Sequence, residues 1–157
     1  MYFIRTFILS IILLGLGFSL PAQNQVQRTP KVKHIGPEEY GYESQNYGAL
    51  QTSNGFMYFS NLSGVLEYDN VHWHLSRING IPRMDIDCYG NIYVGGFNEI
   101  GYLQDTGQYK VYQSLLNLDH DEIGQIANVV ALCGEVFFAT DTALFRAKNK
   151  RLSIFTT

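Results

Sequence analysis

Charge is scarce in this chain. Only 16% of its 157 residues are Asp, Glu, Lys or Arg, and the formal net charge is −3. No basic block occurs, which argues against nucleic-acid binding, because phosphate recognition needs clustered Lys and Arg. Long stretches of helical period are absent beyond the first 22 residues, so a helical solenoid is excluded. Cysteine is limited to Cys88 and Cys133. What the chain has in quantity is eleven Tyr, ten Phe and fifteen Gly. That composition suits short twisted strands joined by tight turns.

The first 22 residues read MYFIRTFILSIILLGLGFSLPA. One cation, Arg5, precedes an apolar run that Pro21 and Ala22 close, the layout of a secretory signal peptide cut after Ala22. The run is nearly long enough to span a bilayer, so retention as an anchor is the alternative. Either way the remainder is expected outside the cytoplasm. Residues 23–45 read as a polar leader, with a short closing strand at 32–35 and a Gly- and Pro-punctuated loop at 36–41.

From residue 46 an outline recurs. NGFMYFSNLSGVLEYD (54–69) is echoed by YGNIYVGGFNEIGYLQ (89–104) and by CGEVFFATDTALFRA (133–147). Gly55, Gly90 and Gly134 are corresponding turn positions. Strands are expected at 47–52, 56–60, 65–69 and 71–76, at 83–88, 91–95, 100–104 and 109–114, and at 126–132, 135–140, 143–147 and 152–155. Four strands per ~40–45 residues is the pattern of propeller blades. The expected fold is therefore all-β, with blades of four antiparallel strands at 46–79, 83–117 and 126–157. Three blades are too few to close a ring, so the propeller is incomplete and the chain is expected to be a fragment of a longer protein.

Catalytic, metal and cofactor-binding residues are expected to be absent, and no ligand-binding residue is assigned. His72 and His74 flank Trp73 and share a strand face, but no third ligand stands near, so a surface strand with Trp73 turned inward is expected. The run Asp119, His120, Asp121, Glu122 lacks calcium-loop spacing and reads as a solvated loop. Asp85 and Asp87 read as an outward polar face. Gly95 and Gly96 read as a bend and not as a phosphate loop, because no Lys-Ser/Thr pair or helix follows. Asn61, Leu62 and Ser63 form a glycosylation tripeptide. Cys88 and Cys133 each precede a turn glycine. Equivalent turns of neighbouring blades should stand too far apart for a disulfide, so two small buried thiols are expected. The aromatics supply flat faces for a carbohydrate or peptide, although most fall at packing positions.

These repeats resemble the N-terminal sensor propeller of the two-component-regulator-propeller family of bacterial membrane sensors. The resemblance rests on Asn54, Gly55, Met57, Tyr58, Phe59, Asn61, residues 64–69 and Trp73. It continues through Gly90, residues 92–96, Asn98, Glu99 and residues 101–103. It implies a periplasmic, non-catalytic propeller that senses a small molecule or glycan. Further blades, a three-tyrosine domain, a membrane helix and a histidine kinase or helix-turn-helix output would follow, and the full-length protein would signal as a homodimer. The alternatives are the start of a propeller enzyme, a quinoprotein or glycan hydrolase, and a structural surface propeller.

Overall fold

Each repeat folds into its own sheet of four antiparallel strands in chain order. Sheet 1 holds β1 (Asn46–Gln51), β2 (Met57–Asn61), β3 (Gly64–Tyr68) and β4 (Trp73–Ser76). Sheet 2 holds β5 (Arg83–Ile86), β6 (Ile92–Gly96), β7 (Glu99–Asp105) and β8 (Lys110–Ser114). Sheet 3 holds β9 (Asn128–Leu132), β10 (Glu135–Ala139), β11 (Leu144–Lys148) and β12 (Arg151–Phe155). This computed structural model describes residues 32–116 and 122–155. The chain from Ile35 onward forms one unit.

Every strand expected from residue 46 onward is present, shifted at its ends by a residue or two. The reason is local. Short β-branched and aromatic runs are separated by turn residues that cannot extend them. The corresponding turn glycines take almost the same conformation, with φ of 87° at Gly55, 87° at Gly90 and 91° at Gly134. A side chain is disfavoured there, so one residue type marks the same corner in all three sheets.

Two segments differ from expectation. Residues 32–36 form no strand, and Pro37–Tyr40 forms a single helical turn, α1, where a loop was expected. Pro37 fits the first helical position, and Gly41 ends the turn in the left-handed conformation with φ 77°. The turn presents Tyr40 to Trp73, with ring centroids 5.3 Å apart.

Alternation along each strand separates two faces, and consecutive sheets stack by them. Tyr58 and Val65 of sheet 1 pack against Ile92, Val94 and Leu103 of sheet 2, with Ile78 between. Ile100 of sheet 2 packs with Ile126 against Val129, Val136, Phe138, Phe145 and Ala147 of sheet 3.

The outward face of sheet 3 is different. Val65, Ile100 and Leu144 are equivalent by register, each pairing with the residue five positions after its turn glycine (Ser60, Gly95 and Ala139). Val65 is 1% and Ile100 0% exposed, each under the following sheet, but Leu144 is 39% exposed. Val130, Leu132 and Phe155 are exposed as well.

Candidate functional site: a cleft between sheets 2 and 3

The first strands of sheets 2 and 3 run side by side, and polar side chains stitch them. The Asp85 carboxylate accepts the Ala131 backbone N–H at 2.8 Å. Arg83 Nε donates to the Ala127 carbonyl at 3.2 Å, and the Gln125 amide donates to the Ile81 carbonyl at 2.9 Å. These partners are offset by 44 to 46 positions.

The same seam corrects the expectation for cysteine. Cys88 and Cys133 form a disulfide, with Cα atoms 5.3 Å apart. Equivalent turns of sheets 2 and 3 are not held apart by the width of a sheet. The turns follow β5 and β9, which lie closest together, so the chain ends of these strands meet. Both cysteines are exposed, not buried.

Beside these turns a cleft of about 380 Å³ opens between the two sheets. Such a volume falls in the usual range of ~300–1,000 Å³ for small-molecule sites. Gly90 and Gly134, the corners of the stapled turns, contribute to its wall. Tyr93 and Tyr102, cross-strand neighbours on β6 and β7, supply flat apolar faces. Asn91, Gln104 and Asn149 supply amides, and Lys110 and Lys150 supply ammonium groups. Lys150 Nζ donates to the Tyr102 hydroxyl at 2.9 Å and lies 4.6 Å from that ring's centroid. Lys110 is committed to Asp105 at 3.4 Å. The Gly107 N–H and then Lys110 hold the Asp105 carboxyl below the usual carboxylate range. Burial, and next the Asp87 carboxylate, raise the Tyr93 phenol above its ordinary value. The wall is thus aromatic and amide-rich, with one ammonium on a phenol.

A repeat-equivalent cleft of about 220 Å³ lies between sheets 1 and 2. Glu67 stands there where Tyr102 stands in the larger cleft, as the partners of Tyr58 and Tyr93 show. Glu67 accepts the Lys110 backbone N–H at 2.9 Å, and His74 stacks on Tyr109 with centroids 3.7 Å apart. Burial raises the Glu67 carboxyl above its ordinary value against the pull of the Lys110 N–H. The incoming turn of sheet 2 therefore fills much of this cleft.

The residues singled out in the sequence fall as follows. His72 and His74 do not converge: His72 Nδ1 lies 3.2 Å from Asp69, while His74 stacks on Tyr109. Trp73 is half-buried and stacked on Tyr68, centroids 4.4 Å apart. Among the described residues no group of three or more His, Cys, Asp or Glu could hold a metal ion. Asp119, His120 and Asp121 lie outside the described residues; Glu122 is exposed.

Asp85 and Asp87 are not an outward face. Asp85 bonds the next sheet, and Asp87, 7% exposed, accepts the Tyr89 and Asn91 N–H groups and the Asn91 amide at 2.8 to 2.9 Å. Strand alternation pointed them away from Met84 and Ile86 correctly, but that side faces a neighbouring sheet and a turn instead of water. Gly95 and Gly96 end strand β6 and are not a bend. Asn61 is fully buried, and its amide donates to the Glu43 carbonyl at 2.6 Å and to the Asn46 side chain at 2.9 Å, so it is no glycan acceptor here.

Lys150 and Tyr102 were missed by motif reading, since their roles depend on contact between repeats 48 positions apart. The available signal was the two-residue turn Asn149-Lys150, which places a long cation at a corner of sheet 3. Comparison with protein-family models, with curated proteins and with solved structures finds no match.

Proposed function

We propose that the three sheets are blades of a β-propeller and that the chain is the exported, non-catalytic, ligand-sensing segment of a membrane-bound signalling protein of the two-component-regulator-propeller kind. The observation that carries the propeller is the open face of sheet 3. It repeats, position for position, two faces that each lie under a following sheet, so the same packing rule calls for a further blade there. Sensing is supported by the cleft between sheets 2 and 3, whose phenols, amides and ammonium suit recognition of a small molecule or glycan. Periplasmic placement is supported by the signal-like N-terminus and by the exposed disulfide, a bond that persists in oxidising compartments. The resemblance supplies the output: a histidine kinase or helix-turn-helix module across the membrane, in a homodimer.

Equilibrium binding of the full chain to a panel of saccharides and small organic acids tests the reading, with each ligand recovered and analysed afterwards. Saturable binding with the ligand recovered unchanged is the expected result. Chemical conversion of a ligand, or no saturable binding across the panel, would overturn it.

A further inference from the structure

Lys150 is not the residue that its turn calls for. Asn149 and Lys150 join β11 to β12 as a two-residue hairpin link, with φ of 50° and 60°. Positive φ at both positions is the type I′ form, in which Gly is the favoured second residue because a Cβ is crowded in the left-handed region. Asn149 is a favoured residue at the first position, whereas Lys150 stands where Gly is favoured. The strained position aims an ammonium at the cleft, where it rests on the Tyr102 hydroxyl. Among the described residues no carboxylate forms an ion pair with Lys150, whereas the cleft's other lysine, Lys110, is paired with Asp105.

The wall next to this charge is aromatic. Tyr102 donates its own proton toward Gln104 Oε1 at 3.4 Å while accepting from Lys150, so ammonium, phenol and amide form one chain along the cleft. Tyr93 stands beside Tyr102 on the neighbouring strand. The width between the walls is preset, because the Cys88–Cys133 bond ties the two turns that carry Gly90 and Gly134. A preorganised cleft loses less on binding than one that must be ordered.

We propose that this cleft binds a small ring-bearing carboxylate, with the ring against Tyr102 and Tyr93 and the carboxylate at the Lys150 ammonium. The shared chemistry is a six-membered ring with one carboxylate, which a hexuronate and a benzoate-type acid both offer. The inference rests on the ligand-sensing reading of the same cleft and narrows it to one chemical class.

The test compares the full chain with its Lys150→Gly variant by calorimetric titration with galacturonate, benzoate and neutral galactose. Glycine suits the turn, so the variant is expected to melt no lower than the parent. Its affinity for the recognised acid should fall by about tenfold or more, the loss of one charge-assisted contact. Galactose should bind the parent at least about tenfold more weakly than galacturonate if the source is a sugar acid. Binding of benzoate in place of galacturonate identifies the source as an aromatic acid and supports the same chemistry. Equal acid affinity in parent and variant overturns the inference while leaving ligand sensing intact, as does binding of neither acid when another member of the wider panel binds. Conversion of a bound acid to product sinks the non-catalytic reading beneath it.

Discussion

Gly95 has no room for a methyl group. A Cβ built there would stand 2.6 Å from Cγ2 of Ile126, which is fully buried between sheets 2 and 3. Gly95→Ala is expected to lower stability by about 1–3 kcal/mol through overpacking. Gly48→Ala serves as the control, since its Cβ would meet only Ser60, at 3.6 Å from Oγ and 3.9 Å from Cβ, both ordinary contacts. Urea unfolding midpoints of the two variants decide it: equal midpoints would mean that Ile126 moves aside freely. Glu67 carries the pH dependence of the first seam. Burial raises its carboxyl first, with Asp105 adding to the rise, while the Lys110 N–H, Lys110 and His74 oppose it. From the ordinary carboxylate value up to the raised one, the folded chain holds a proton that the unfolded chain has released. Stability therefore falls as pH rises through that window, and the cost of the buried charge is complete above it. Glu67→Gln keeps an acceptor for Lys110 and removes the charge. Its urea midpoint is expected to exceed the parent's at about pH 7 and to converge on it near pH 4, around the ordinary carboxylate pKa. Glu99, also raised by burial, keeps part of the slope in the variant.

At the scale of elements, sheets 2 and 3 are joined far more firmly than sheets 1 and 2. The second seam has strand-to-strand stitches from Asp85, Arg83 and Gln125 and a covalent bond. The first has Glu67 and Ser76 bonded to the Lys110 backbone, and the stacked pair His74–Tyr109. Closing a loop with a sequence separation of 45 restricts the unfolded chain, a contribution of about 2–4 kcal/mol. The double variant Cys88→Ser/Cys133→Ser should lose that amount in guanidinium unfolding, and reduction of the parent should reproduce the loss. Reduced and oxidised chains of equal stability would show that the strand contacts alone hold the seam. Strand positions in all three sheets were legible from turn residues and apolar runs, because both signals are local. The disulfide was not, because its formation depends on how close β5 and β9 come, which is a property of stacking and not of either repeat.

For the molecule as a whole, the outward face of sheet 3 sets behaviour in solution. Val130, Leu132, Leu144 and Phe155 are 39% to 50% exposed on one sheet face, with Arg146 and Glu135 paired among them. Contiguous exposed apolar surface on a sheet favours association. The full chain is expected to self-associate with rising concentration in sedimentation experiments. Leu132→Lys with Leu144→Lys should weaken that association while changing stability by less than about 0.5 kcal/mol per site, since neither side chain is buried. Unchanged association in the double variant would place the contact elsewhere on the molecule.

By itself the sequence determined the class, the strands of the three repeats and their corners. Gly55, Gly90 and Gly134 mark positive-φ turns, and runs of four to seven β-favouring residues between them have no other regular structure open to them. Tertiary structure decided everything that depends on which repeats touch. It turned Asp85 and Asp87 inward, joined Cys88 to Cys133, and buried Asn61. It also brought Lys150 onto Tyr102. The physical reason is the same in each case: alternation along a strand tells which residues share a face, but only the stacking of sheets tells whether that face meets water, backbone or another side chain.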